Sequence, residues 1–523
     1  MSTPYFEVQF ENASGFDDSQ VYLLGTAFEV GATDTTDQSF IQFDTTTGQG
    51  TLVTATDGES AAPYTVQLSD FPVSSEGAYL LQFPPLESGR IHLSLGAGLC
   101  LLVNTNTNGA VVINDPSQAD PGVPNYFIIW DKFEFTFDPS GSPPGNPIWI
   151  NPTAVDFFGL PLTLTLSDGQ GPVGLPQQSR SDVVSRLTSA LTGPWADLVL
   201  TYGNGNDATV LRVTAPNESP VDSDGNPIFP SDYLAPSLQA IWTYYQTNSL
   251  EIESDGVIYT GTVDDDMNFN FTAAGSPPDL PVVQVPLPTS ADVFACTMTA
   301  TSEASPPASD TAATDIPRVL ETALNVGILP LAPGSAPLQS PSWTAADMPQ
   351  YYTNPQLSTV LWNSYAAAIH DNGTGNDGNQ IYAFAYDDQA GQSGLLQAAP
   401  GTVATITLND CSGLTLPVLT GGPSWTVTFQ TGEYASGSVS SGGNTTSLPA
   451  QASTEVAGIT SGFTLNYDST GSPVDYTVYL VATPGVGEGA AASACPQGLG
   501  INVASVSGSD VTLQLPGGPP PSA

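Results

Sequence analysis

The sequence predicts a mainly β protein with a mixed α/β part, and three observations carry that reading. Short apolar runs alternating at period two fill the first 115 residues, with Gly, Asp and Asn between them. Beyond residue 176 the period changes to that of amphipathic helices interleaved with strands. From residue 412 the alternation returns, between Gly/Ser/Thr-rich connections.

In order, YFEVQF, QVYLLGTAF, SFIQFD, TLVTAT, YTVQL, AYLLQF, RIHLSL, LCLLVN and AVVIN read as strands of a barrel or sandwich. The stretch Trp130–Leu164 then forms a hairpin with a long Pro/Gly loop over 138–147. Phe133, Phe135 and Phe137 alternate with Lys132, Glu134 and Thr136, so Lys132 and Glu134 share the face away from the phenylalanines. Pro152 on the return strand removes a ladder donor and predicts a bulge or edge, beyond which parity does not assign the facing of Asp156. Helices follow at 181–193, within 230–250, at 315–327 and at 357–373, with VLRVTA, LEIES, VIYTGTV and NFNFTA as strands between them. His370 falls in a last helical turn, where it reads as a cap. TVATITL, 402–408, reads as a strand returning to the first barrel. The expected division is a β domain over 1–175 completed by about 376–411, a mixed α/β domain over 176–375, a small all-β region over 412–515 and a disordered tail over 516–523.

Composition narrows the function. Six Lys plus Arg stand against 51 Asp plus Glu, a net charge of −45. Such a chain repels nucleic acid and anionic membranes, and no apolar run approaches the length of a membrane span. The partner expected is neutral or cationic. Cys100, Cys296, Cys411 and Cys495 are too few and too far apart for a disulfide scaffold or metal cluster. Two histidines without a Ser or Cys motif, and no H-E-x-x-H or phosphate-binding glycine loop, leave triads, zinc proteolysis and nucleotide binding without support. The opening MSTPYFEVQF has neither a basic nor an apolar leader region, so no secretion signal is visible. Depletion of bases nonetheless suits an extracellular, acidic setting.

Glu134-Phe135-Thr136, then Asn151-Pro152-Thr153-Ala154-Val155-Asp156 followed by Phe158, Leu160 and Pro161, resembles the pattern of glycoside hydrolase family 64, the laminaripentaose-producing β-1,3-glucanases, and of the related thaumatin-like proteins. Ser88-Gly89-Arg90-Ile91, Ala291–Cys296, Asn363–His370 and Tyr382–Asp388 extend the resemblance in pieces across about residues 4–411. It implies a thaumatin-like β-barrel or sandwich and an α/β domain flanking an open acidic groove, with Glu134 as general acid and Asp156 as general base. The implied reaction is inverting, endo-acting hydrolysis of β-1,3-glucan by two carboxyls to short laminari-oligosaccharides such as laminaripentaose, by a monomer without metal or cofactor. The alternative is a thaumatin-like glucan-binding or host-interaction protein without turnover.

The substrate-binding candidates are Asn151, Thr153, Lys132, Arg90, Trp149, Asp387 and Asp388. Arg90 is placed either to orient a cleft carboxylate or sugar hydroxyl or as a surface strand residue, and Trp149 is the aromatic most suited to stack on a sugar ring. His92 reads as structural. The aromatic neighbours of Glu134 favour the protonated form that a general acid needs, and Lys132 pulls the other way.

Overall fold

The computed structural model describes residues 4–515 except 60, 76, 116–117, 120–123, 141–146, 203–207, 223, 274–281, 303–310, 341–350, 355, 371–378, 417–424, 432–434, 442–443, 460–462, 469–473, 484–488, 496–500 and 508–509. The tip of the 138–147 loop and the tail at 516–523 therefore lie outside the described residues.

A thirteen-stranded curled sheet carries the first part of the chain. Val21–Phe28, Leu86–Leu95, Ile129–Phe137 and Ile148–Pro152 are successive antiparallel neighbours in it. Ala404–Leu408 returns as predicted, lying parallel to Phe6–Asn12 and antiparallel to Leu162–Leu166. Alternation sets the two faces. Phe133, Phe135 and Phe137 turn inward to pack with Phe6 and Phe83, the rings of Phe83 and Phe135 lying 4.7 Å apart. Burying each such ring contributes roughly 2–3 kcal/mol. Trp130 turns to the opposite face, into a second apolar layer with Leu24, Phe40, Leu99 and Phe157. That layer covers one end of the sheet's outer face, and the polar rows described below begin beside it.

The helices form where the 3.6 period appears, with shifted ends. Arg180–Ala190 is capped by the Ser179 hydroxyl, which accepts the Asp182 N–H. Thr311–Asn325 begins four residues earlier than the sequence predicts and holds Pro317 in its second turn. Ala235–Tyr245 and Ser364–His370 are shorter than their periodic stretches, and Ser290–Ala295, which was not expected, starts on a Thr289/Asp292 capping box. These helices and a six-stranded sheet share one apolar core, with Trp242, Phe269, Val319 and Tyr365 buried in it. The chain beyond 424 forms a four-stranded and a five-stranded sheet around Phe429, Leu465, Tyr467 and Leu513.

Candidate active site

Two adjacent rows of cross-strand pairs build the site. One places Leu24, His92 and Lys132 side by side, and the next places Thr26, Arg90, Glu134 and Asn151 side by side across four strands. Residues opposite one another in a ladder point to the same face, so Arg90, Lys132, Glu134 and Asn151 converge outside the aromatic core. Trp149, half-buried opposite Thr136, continues that face.

Two acids reach this surface from outside the rows. Asp115 follows the strand Val111–Asn114, whose hairpin partner is Leu102–Thr105. Asp156 lies in the turn after Pro152, which is where parity fails. The turn is fixed at both ends: Thr153 bridges to Tyr382, and the Asp156 carbonyl accepts the Ala215 N–H at 2.8 Å. Buried Asp131, on the opposite face of its strand, accepts the N–H groups of Gly159 and Leu160 at 2.9 Å through one carboxylate oxygen and that of Lys132 at 2.8 Å through the other. This carboxylate ties the Lys132 strand to the segment that follows Asp156. Gly159 is required there, because a Cβ at that position would collide with the Trp130 carbonyl.

The centre of the site is the Lys132 ammonium. Its Nζ lies 2.7 Å from Asp115 Oδ2, 2.7 Å from Asp156 Oδ2 and 3.9 Å from Glu134 Oε1. Two legs that meet at Nζ cannot span more than their sum, so Glu134 Oε1 and Asp156 Oδ2 are at most 6.6 Å apart. Arg90 donates from Nε to Glu134 and from Nη1 to Asp115, both at 3.1 Å. His92 Nε2 lies 3.2 Å from the other Asp115 oxygen, and its Nδ1 lies 3.3 Å from the Leu24 carbonyl. Burial opposes the charge on Asp115, but the His92 hydrogen bond and the charges of Lys132, His92 and Arg90 outweigh it and hold the carboxyl well below the usual range. Burial also opposes the Lys132 charge, and Asp115, Asp156 and Glu134 reverse that, raising its affinity for the proton. Glu218, in the 3-10 turn Pro216–Glu218, is pushed up to about 7 by burial first and the charge of Asp156 second.

Most of the chain's few basic residues are concentrated here. Besides Arg90 and Lys132, Arg212 donates to the carbonyls of Gln118, Asn125, Tyr126 and Ile128, bracing the chain after Asp115. Arg180 donates to the carbonyls of Gly159, Val210 and Leu211, bracing the chain after Asp156. Four of the six Lys and Arg residues thus serve this site and its supports.

Several expectations are corrected. Lys132 is not presented to a substrate: it is 3% exposed, with its ammonium among carboxylates. Arg90 orients carboxylates, the first of its two readings. Asp387 is fully buried, accepts the N–H groups of Ala383 and Phe384 and faces His370 Nε2 at 3.1 Å, which removes it from any groove wall. His370 accordingly pins the 381–387 turn, and its Nδ1 meets the Tyr352 hydroxyl at 2.6 Å, in place of the cap expected of it. Thr153 is 5% exposed and its hydroxyl accepts the Val155 N–H, so it shapes the turn into Asp156. Asp388 is half-buried and accepts the Gln389 N–H. The phenylalanines beside Glu134 in sequence lie on the other face, and its surroundings are cationic, with its side chain 32% exposed. Asp115, Asp131 and Glu218 escaped sequence reasoning: Asp115 ends a short hairpin, Asp131 interrupts an apolar strand, and Glu218 lies two residues after a proline in a 3-10 turn. Of these only Asp131, an acid on the core side of an alternating strand, carried a usable signal.

Two carboxyls brought together from different segments, partly open to solvent and braced by shared cations, are the equipment of a glycoside hydrolase. The sequence profile of the β-1,3-glucanases, glycoside hydrolase family 64, matches residues 5–408, and the chain belongs to that family. It is a hydrolase of β-1,3-glucan. Among solved structures, a laminaripentaose-producing β-1,3-glucanase in complex with laminaritetraose is 24% identical, with a TM-score of 0.57 over 78% of this chain and 99% of that one. A β-1,3-glucanase domain from Clostridium beijerinckii is 19% identical, with a TM-score of 0.57 over 78% of this chain and 98% of that one. Both share the curled-sheet fold. No curated protein matches the chain.

Proposed function

We propose that the chain is an endo-acting, inverting β-1,3-glucanase in which Glu134 is the general acid and Asp156 the general base. The observation that carries this reading is the convergence of these two carboxyls on the Lys132 ammonium from separate segments, on one face of the sheet. Glu134 donates its proton to the glycosidic oxygen as the bond to the anomeric carbon breaks. Asp156 takes a proton from the water that attacks that carbon from the opposite face. Lys132 donates to one Asp156 oxygen and leaves the other to take the proton of the attacking water. The 6.6 Å limit spans both the roughly 5–5.5 Å separation of retaining enzymes and the lower end of the roughly 6.5–9.5 Å separation of inverting ones, so inversion rests on the family resemblance and is decided by the anomer assay below.

Asn151 beside Glu134, and Trp149 two residues before it, supply a polar contact and a ring face for the sugar chain. In this reading the scaffold is thaumatin-like, its domains follow the sequence division, the products are short laminari-oligosaccharides such as laminaripentaose, and the protein acts outside the cell as a monomer. The net charge of −45 supports the lack of nucleic-acid or membrane partners.

The test is reducing-end release from linear β-1,3-glucan across pH 3–8, with product sizing and NMR of the first-formed anomer. Parent turnover that collapses in folded Glu134→Gln and Asp156→Asn variants, with release of the α-anomer, is expected. Binding without turnover in the parent, or β-anomer release, refutes the proposed mechanism.

A further inference from the structure

Three carboxyls and two permanent cations meet at the site, and the proposed chemistry uses only two of the carboxyls. The third, Asp115, is the one that contacts both cations within hydrogen-bond distance: 2.7 Å to Lys132 Nζ and 3.1 Å to Arg90 Nη1. Without it, both positive charges would fall on Glu134 and Asp156 alone. Each carboxyl would then have a cation of its own, and Glu134 would be held as the carboxylate, the wrong form for an acid. With Asp115 ionised, Lys132 and Arg90 are balanced by Asp115 and Asp156. The cluster is then neutral with one proton on Glu134.

We propose that Asp115 is a positioning residue for the hydrolysis, absorbing the charge of Lys132 and Arg90 so that Glu134 carries the proton while Asp156 stays ionised; this rests on the assignment of those two acids above. This balance holds with His92 uncharged: His92 places Nε2 on Asp115 and Nδ1 on the Leu24 carbonyl, and a charge on it would draw on Asp115 as well. Glu218, pushed up to about 7 by burial, is uncharged through mildly acidic pH. Tyr365 is buried and Tyr382 half-buried, both phenols held above their ordinary range, first by burial and then by nearby carboxylates, and Asp131 lies on the opposite face of the strand. The same geometry explains why the one lysine in the chain is placed here. An ammonium shared among three acids lets a proton be withheld from one carboxyl and kept on another, within a span of a few ångströms.

The experiment is the pH dependence of kcat/KM on linear β-1,3-glucan for the parent, Asp115→Asn and Arg90→Gln, with circular dichroism to check folding. Asp115→Asn removes the balancing charge. Its alkaline limb, where the acid loses its proton, is expected to move down by about one pH unit or more, and the acid limb moves with it. Activity on the alkaline side of the parent's limb then falls about tenfold for each pH unit moved, with less loss at low pH. Arg90→Gln removes a cation at the exposed rim and moves the alkaline limb the other way. If Asp115→Asn does not fold, Asp115→Ser takes its place, with the same downward movement of the alkaline limb expected. A uniform loss of activity with both limbs unmoved, or no movement in Arg90→Gln, refutes the role of Asp115 while leaving the two-acid reading in place. Absence of turnover in the parent refutes both.

Discussion

Arg212→Met tests whether the site depends on its braces. The guanidinium is fully buried and donates to four carbonyls between Gln118 and Ile128, at 3.0 Å for Asn125 and 3.1 Å for Tyr126. It also lies about 6 Å from the ring centres of Tyr126, Trp130 and Phe157. Burial pulls its proton affinity down to about 9, with Tyr126 opposing, so it remains a cation at neutral pH. Methionine fills much of the volume but returns no donors. Each orphaned buried carbonyl costs roughly 1–3 kcal/mol, and relief of the buried charge offsets part of the total. The net loss is about 3–5 kcal/mol, corresponding to a fall in Tm on the order of 10 °C. The braced segment directly follows Asp115, so kcat is expected to fall beyond the effect on stability, measured well below the variant's Tm. Arg212→Lys keeps the charge without the planar fork and falls between the two. A melting temperature for Arg212→Met within about 1 °C of the parent by calorimetry would refute the reasoning.

Other outcomes follow from the same structure. Burial raises the carboxyls of Asp131 and Glu218 to about 7 and that of Glu321 to about 8, so each contributes stability that is full below about pH 4 and lost as pH rises through those values. Asp115 acts oppositely, losing its contribution only in strong acid. Urea midpoints should therefore be higher near pH 5 than at pH 8, with a smaller difference in Glu321→Gln; equal midpoints would contradict the burial argument. Gly159→Ala forces a Cβ against the Trp130 carbonyl, with an expected stability loss of about 1–3 kcal/mol by chemical denaturation. Trp149→Ala should raise KM for laminari-oligosaccharides about tenfold with a smaller change in kcat, a ring contact being worth roughly 1–1.5 kcal/mol; an unchanged KM would remove Trp149 from the groove.

Much of the site was written in local pattern. The alternation of Phe133, Phe135 and Phe137 with Lys132 and Glu134 sorted the two faces of one strand, because side chains on a strand alternate with period two whatever the partner. The family motif named Glu134 and Asp156 together. The returning strand at 404–408 and the strands after 424 were legible for the same reason of periodicity. What the sequence by itself could not decide was who meets whom. Asp115 and Lys132 are 17 positions apart and Arg90 and Glu134 are 44 apart, and no local rule aligns a ladder register or folds a hairpin over a sheet. Lys132 and Asp387 looked like groove residues because their types are polar; tertiary burial turned one into a shared counter-ion and the other into a buried anchor for a turn. Composition reported that cations are scarce. Only the assembled structure put two of the six among the site's acids and two more behind them as braces, because the free energy of a buried charge depends on the partners that three-dimensional packing brings within a few ångströms.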